Sequence, residues 1–350
     1  MKKLLPFAFF LATFSIFAQD TIVEKVEIID LKKFSFSGSV DAYYRANFNA
    51  PNKAFDDGSF AAPGSSFANL PGFALGMANL IASYEGEKVG FVADLVFGPR
   101  GTDATFASPM YSMTGDILNQ LYVYWNVSDK VTLTFGNFNT FLGYEVISPV
   151  GNFNYSTSYL FSYGPFSHTG LKADFALSED FSLMLAVMNP TDLTEFNPTG
   201  KYAFGAQLGY KGQYLNLLTD DGAYEIDFTG GFNITDSFYL GVNAALYDGD
   251  GTGFAGGAIY PQFSTSDNFT IGLRAEYFVE DGDFGAIGTG VDDSSVFAAT
   301  LTGSYSIQNL TIKPELRLDS ASDDSWYFMD SDMNPQKSLS SFVLAAIYAF

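Results

Sequence analysis

Along nearly the whole chain, apolar and polar residues alternate with a period of two. Residues 34–48 show it most plainly. Phe34, Phe36, Gly38, Val40, Ala42, Tyr44, Ala46 and Phe48 fall on one parity, and Ser35, Ser37, Ser39, Asp41, Tyr43, Arg45 and Asn47 on the other. A period of two is a strand period, so each such segment has one apolar and one wet face. The pattern recurs about sixteen times: at 34–48, 73–85, 87–98, 116–127, 131–141, 169–178, 181–189, 201–211, 213–219, 223–234, 237–247, 254–264, 268–279, 295–307, 310–319 and 338–350.

The connections between these segments alternate in length. Short ones such as Glu85-Gly86-Glu87, Ser128-Asp129-Lys130, Lys211-Gly212-Gln213 and Gln308-Asn309 are built from tight-turn residues. Between them lie longer, mostly acidic and Gly-rich loops, at about 49–72, 99–115, 142–168, 190–200, 248–253, 281–294 and 320–337; 220–222 is the short member of that set. Short turns on one rim and long loops on the other are the arrangement of an up-and-down transmembrane β-barrel. A Greek-key sandwich has no reason to keep that order. The predicted fold is therefore an all-β, antiparallel barrel of about sixteen strands, with short periplasmic turns and longer extracellular loops.

In-strand charges fall almost entirely on the polar parity. Asp41, Arg45, Asp94, Lys172, Asp174, Glu225, Asp227, Arg274, Glu276, Lys313, Glu315 and Arg317 are the predicted pore-lining set. An Arg or Lys facing lipid at mid-membrane costs roughly 2–4 kcal/mol, whereas one facing a wet lumen costs little. Some places depart from the pattern. Residues 73–85 are apolar on both parities, Asn79, Asn119 and Asn189 sit on or near apolar faces, and 213–219 is short for a membrane strand. Pro261 and Pro314 lie inside predicted strands, although a closed barrel has no edge to hold a proline.

The N-terminus reads Met1-Lys2-Lys3 and then apolar from Leu4 to Ala18, a signal peptide expected to be cut after Ala18. Residues 19–33 form a short, charged periplasmic leader, and the barrel occupies 34–350. No other stretch has 18 consecutive apolar residues, so no transmembrane helix is expected. The chain is 47% hydrophobic and 17% aromatic, with a net charge of −22 and no cysteine. That acidity excludes nucleic acid as a partner. The chain is too short for a plugged 22-stranded transporter.

The longest loop, 142–168, differs from the others. It carries one acid, Glu145, among many aromatics, and such a loop is poorly hidden in solvent. It is expected to fold into the barrel and narrow it, with Glu145, Tyr155 and Tyr159 at the constriction. The sole histidine, His168, has Ser162, Ser167 and Asn154 near it in sequence. A hydrolytic triad needs a base within reach of a nucleophile; a structural hydrogen bond is the commoner role for a histidine at a loop edge, and no enzymatic activity is expected. Asp248-Gly249-Asp250-Gly251 and Asp281-Gly282-Asp283 lack the spacing of a calcium loop. No cofactor is predicted, and metal binding is limited to loose Ca²⁺ or Mg²⁺ at acidic loops.

The segment Phe135-Gly136-Asn137-Phe138-Asn139-Thr140-Phe141-Leu142-Gly143-Tyr144-Glu145, followed by Asn152, Asn154-Tyr155-Ser156 and Pro165…His168-Thr169-Gly170, resembles the OmpL-like putative β-barrel porin family of Gram-negative bacteria. The Phe-Ala-Gln junction also resembles exported Bacteroidota proteins. The resemblance implies an outer-membrane porin. The terminal run to Tyr348 and Phe350 resembles the signal by which the barrel assembly machinery recognises its clients. The expected function is a passive channel for small hydrophilic solutes with weak cation preference, in contact with outer-membrane lipid and lipopolysaccharide, either monomeric or oligomeric. The alternative is a non-conducting barrel that displays loops for adhesion or assembly.

Overall fold

A computed structural model describes residues 33–105 and 117–350. The predicted signal peptide and nearly all of the leader lie outside the described residues. Sixteen strands form one closed antiparallel barrel in which every strand pairs with its neighbours in sequence and β1 closes on β16. In chain order they are β1 (Phe34–Asn47), β2 (Gly72–Glu85), β3 (Val89–Phe97), β4 (Leu118–Ser128), β5 (Val131–Asn139), β6 (Ser167–Ala176), β7 (Phe181–Met188) and β8 (Ala203–Tyr210). There follow β9 (Gln213–Asp220), β10 (Ala223–Asn233), β11 (Phe238–Asp248), β12 (Gly253–Ser266), β13 (Phe269–Asp281), β14 (Ser295–Ile307), β15 (Leu310–Ser325) and β16 (Gln336–Ala349). Among the described residues two short helices sit in long loops: α1 (Pro99–Ala104) after β3 and α2 (Tyr159–Tyr163) between β5 and β6. No described helix is long and apolar enough to cross a membrane.

Closure removes the unpaired edges that an open sheet would expose. The seam runs from Ser39↔Ala349 to Asn47↔Ser341. Gly38 N–H donates to Phe350 O and Phe350 N–H to Gly38 O, at 3.0 and 2.9 Å. At the tightest turns the chemistry is local. Lys211-Gly212 and Asp221-Gly222 each place two consecutive residues at positive φ, the type I′ geometry whose twist matches the flanking strands.

The segments that broke the alternation have physical explanations. The register between β1 and β2 slips by one residue at Asp41, so β2 changes face around Gly76 and Met77. The inward residues Met77 and Val96 then pack with Phe67, Ala104, Ile147, Phe161 and Phe166, contributed by loops inside the barrel. Both faces of β2 are apolar because both meet apolar surroundings. A second slip, between β3 and β4 at Asp94/Leu95, brings Asn119 and Gln120 to the same carboxylate: Asn119 Nδ2 donates to Asp94 at 2.7 Å and Gln120 Nε2 at 3.0 Å. Asn79 donates to Asp94 as well. The prolines each interrupt the ladder on one side while the register continues. Pro261 pairs with Leu240, but β12–β13 pairing skips from Ile259 to Gln262. Pro314 pairs with Leu344, but β14–β15 pairing skips from Thr302 to Tyr305.

β15 runs to Ser325, beyond the expected end at 319, and β16 starts at Gln336. The polar segment 320–325 reads as a loop, but it extends the strand past the apolar band, where no face has to be lipophilic.

The asymmetry of the two faces predicts an asymmetry in stability. Leu301, at the middle of β14, faces outward; Leu301→Arg should cost roughly 2–4 kcal/mol in folding into vesicles. Asp174 forms a part-exposed pair with Lys172 inside the barrel; Asp174→Asn should change stability by less than about 1 kcal/mol. Equilibrium unfolding in denaturant with lipid vesicles measures both.

Candidate functional site

The connection between β5 and β6 turns inward and runs along one wall of the barrel. A chain without regular structure inside a barrel carries backbone donors and acceptors that need partners. Charged side chains from the strands provide them, and each sign meets its complement. Acidic groups take the N–H groups. Glu276 accepts from Tyr159 N (3.0 Å) and Leu160 N (2.8 Å), at the start of α2. Glu315 accepts from Tyr155 N and from Ser156 N (3.0 Å). Asp227 accepts from Gly143 N (3.0 Å), and its oxygens also hold Asn216 and Asn243 at 2.6 Å each.

Basic groups take the carbonyls. Arg274 donates to Ser156 O (2.6 Å) and Thr157 O (3.1 Å), Arg317 to Thr157 O (2.8 Å), and Lys313 to Pro149 O (3.1 Å) and Asn152 O. Arg317 is itself fixed by a bidentate pair with Asp319 at 2.8–2.9 Å. Glu145, the loop's only acid, forms a 2.6 Å ion pair with Arg274, and both side chains are almost wholly buried. Its second oxygen accepts from Ser158 N and Oγ, and Ser158 caps α2 through Phe161 N (3.0 Å).

Tyr155 and Tyr159 are fully buried. The Tyr155 hydroxyl donates to Asp41, which also accepts from Met77 N at 3.1 Å. Gly64 N–H donates to the Tyr159 hydroxyl at 3.3 Å, tying the loop to the β1–β2 connection. Burial pushes both phenols upward from their ordinary pKa, reinforced by Asp41 beside Tyr155 and Asp319 near Tyr159, so both stay neutral. Arg45 donates to Asn47 Oδ1 (2.7 Å) and Ala61 O (3.2 Å), holding the β1–β2 connection.

Of the predicted pore-lining residues, Asp41, Arg45, Asp227, Arg274, Glu276, Lys313, Glu315 and Arg317 are thus brought together as loop anchors. Glu225 is buried and Asp94 is enclosed by its three amides. Lys172 and Asp174 stand apart. They pair with each other at 3.3 Å and leave 26% and 44% of their side chains exposed. β6 lies eight strands from β14, so this wetter wall faces the loop-covered one.

Sequence reading missed Arg100. From α1 it donates to Ile147 O (2.8 Å) and Tyr155 O (3.1 Å), with its guanidinium 4.4 Å from the Phe67 ring. Nothing in an acidic, Gly-rich loop marks that role. It also missed a set of inward glycines. Phe141 lies over Gly205, Tyr144 over Gly241 and Phe153 over Gly272, each so close that a Cβ would collide with the ring. Glycines on the polar parity of strands are a signal that could have located the loop.

The His168 ring is held by a hydrogen bond to Thr140 Oγ1, at 3.0 Å through Nε2, and by the Phe141 ring at 5.2 Å. Ser162 bonds to Ser158 O and Ser66 N, and Asn154 to Thr302, so no triad assembles. Among the described residues no group of His, Cys, Asp or Glu is placed to hold a metal ion. The Asp-Gly segments serve turns: Asp248 accepts from Asp250 N (3.2 Å) and Asp293 from Gly282 N (3.0 Å).

Comparison with known proteins agrees with this architecture. A family described as putative beta-barrel porin-2, OmpL-like, matches residues 33–350. The fold is similar to the outer membrane channel DcaP of Acinetobacter baumannii (TM-score 0.57, 12% identity, 91% of this chain and 97% of that one). It is equally similar to an anion-selective porin from Comamonas acidovorans (TM-score 0.57, 12% identity, 91% and 99%). Pseudomonas putida OprB also matches (TM-score 0.54, 9% identity, 91% and 93%). No curated relative matches the sequence.

The buried Glu145–Arg274 pair should govern loop anchorage. Removing one partner of such a pair typically costs about 3–5 kcal/mol, because the other charge is left buried. Glu145→Gln should expose the Tyr155–Tyr163 segment to chymotrypsin in the folded barrel. The double change Glu145→Gln/Arg274→Met should recover part of the lost stability.

Proposed function

The chain belongs to the OmpL-like putative beta-barrel porin-2 family and is an outer-membrane β-barrel, and from that footing we propose that it is a narrow, passive channel for small hydrophilic solutes with weak cation preference. One observation carries the reading: the inward loop is fixed to the β10–β15 wall and β1, while the Lys172–Asp174 wall opposite keeps its charges in water. A sixteen-strand barrel is wide enough to hold an aqueous path beside one folded segment. Phe153 and the Asn233, Ser237 and Gln262 side chains line a cavity of about 250 Å³ on the short-turn side, which is the periplasmic vestibule of that path.

Apolar clusters occupy much of the opposite, long-loop half. One joins Tyr159 and Leu160 to Phe254, Tyr260 and Phe278, and another joins Phe138 and Leu142 to Met188 and Leu218. They support a low conductance. Selectivity is argued from this chain's charges, because likeness at 12% identity to an anion-selective porin reaches only the fold. Every long-loop connection carries an acid: Asp56, Asp103, Glu145, Asp192, Asp221, Asp250, Asp283 and Asp330, one from each in chain order, and all but Glu145, neutralised in its buried pair with Arg274, belong to the mouth. Lys53, Arg100 and Lys201 are the bases among the described residues of those connections. An acidic mouth concentrates cations. The lumen mixes signs, so the preference should fade as salt rises and screening shortens from about 30 Å at 0.01 M to about 3 Å at 1 M.

In planar bilayers the purified protein should show small, stepwise conductances and a reversal potential favouring cations at low salt. Deleting 146–166 should raise conductance severalfold in barrels that still show heat-modifiable mobility. Clear anion preference would overturn the selectivity. Folded protein that never conducts, with or without the loop, would favour the displaying barrel instead.

A further inference from the structure

The low side of the long-loop rim holds a cavity that the loop anchorage does not use. β8 and β9 are only 8 residues long, and β9 is joined to β10 by the two-residue turn Asp221-Gly222. Here a cavity of about 370 Å³ lies between the end of the inward loop, the β7–β8 connection and this hairpin. Glu225 lines it from the inward face of β10.

Glu225 is an unusual carboxylate for its position. It is only 4% exposed, and unlike Asp227, Glu276 and Glu315 it accepts no hydrogen bond among the described residues. Its charged neighbours are Asp227 and Asp192, both acids. Asp227 is occupied by its two asparagines and Gly143 N. Lys201, the one base at the cavity, is exposed and turned to Asp221. Gly164 leaves the carboxylate uncovered: a Cβ there would stand 3.7 Å from Glu225 Oε1. A buried carboxylate without donors is relieved either by taking up a proton or by a cation that completes it, and the cavity beside Glu225 gives room for the second.

The walls decide which cation. Tyr163 and Tyr247 supply aromatic surface, and the described residues offer no metal-holding group. The space exceeds that of a bare ion. We propose that this cavity binds a small organic ammonium ion, with Glu225 as the buried counter-charge, Asp192 and Asp220 as further acceptors, and tyrosine faces against the alkyl part and the cation. The site stands whether or not the barrel conducts, so a binding measurement tests it separately from the channel reading.

The probe is 1,4-diaminobutane, titrated calorimetrically into the refolded full-length protein in detergent. Saturable one-site binding is expected for the unaltered chain. Glu225→Gln, which is isosteric, should weaken it at least roughly tenfold through loss of one charge-assisted contact. Thr199→Lys, on the exposed rim of the cavity, should abolish it by tethering a competing ammonium there, and it carries the test should Glu225→Gln fail to fold. Asp129→Asn, in a distant turn, should bind as the unaltered protein does. Absence of saturable binding, binding unchanged in folded Glu225→Gln or folded Thr199→Lys, or displacement by Mg²⁺ at concentrations equal to the diamine's would each overturn the proposal; the last would make the cavity an inorganic cation site.

Discussion

The molecule depends on one constraint: a peptide chain laid inside a closed barrel has to have its backbone polar groups satisfied there. Regular structure cannot do this along the inward loop, because only five residues of it are helical. The wall does it instead. Two rows of charge, Arg274/Glu276 on β13 and Lys313/Glu315/Arg317 on β15, offer alternating signs at two-residue spacing. An extended backbone offers N–H and C=O groups at a comparable repeat. Acids meet the amides of Tyr155, Ser156, Tyr159 and Leu160, and bases meet the carbonyls of Pro149, Asn152, Ser156 and Thr157. The mixed-sign lumen is therefore, on this side, an internal solvent for a loop. Charge-assisted bonds are about twice as strong as neutral ones, so a few of them hold a long segment.

Packing follows from the same placement. Once the loop is fixed by charge, its aromatics have to go somewhere, and the barrel receives them on bare backbone. Gly241 makes room for Tyr144, whose ring stacks 4.2 Å from Tyr260. Gly272 makes room for Phe153. The inward faces thus hold ordinary apolar cores, with Tyr159, Phe254, Phe278 and Leu339 wholly or almost wholly buried, although they are on the side of the strand that usually faces water. A porin wall of this kind has three neighbours to satisfy: lipid outside, water on one part of the lumen, and a loop core on another.

This explains how much of the molecule could be read from its residues. Strand number and closure were legible because parity and turn length are local and repeat sixteen times; Lys211-Gly212 states its turn in two residues. The inward turn of the 142–168 loop was also legible, from aromatics that solvent would not tolerate. The partners were not. Glu145 and Arg274 are 129 residues apart, and nothing near either names the other. Arg274 and Glu276 alternate just as Lys172 and Asp174 do, yet the first two are buried against the loop and the second two remain wet. One strand carries the same pattern for either outcome; which occurs is set by the wall the loop lies on. Where the alternation failed, at 73–85, it failed for a reason of this kind, since Met77 faces inward onto Phe67 and Phe161.

The same reasoning separates Glu225 from its neighbours. Glu225 and Asp227 are two residues apart on one strand and share a face. Asp227 ends beside two asparagines and a loop amide, and is complete within the protein. Glu225 lies one pleat nearer the rim, where the wall is lowest, beside Gly164 of the inward loop, whose N–H goes to Leu160 O instead. An inward carboxylate on this barrel either holds the loop, pairs with a fixed amide or base, or faces a cavity. Asp41, Glu276 and Glu315 take the first course, and Asp94 and Asp319 the second. Glu225 alone among these takes the third, and a group left out of the internal accounting at an accessible cavity is where an external cation has something to complete.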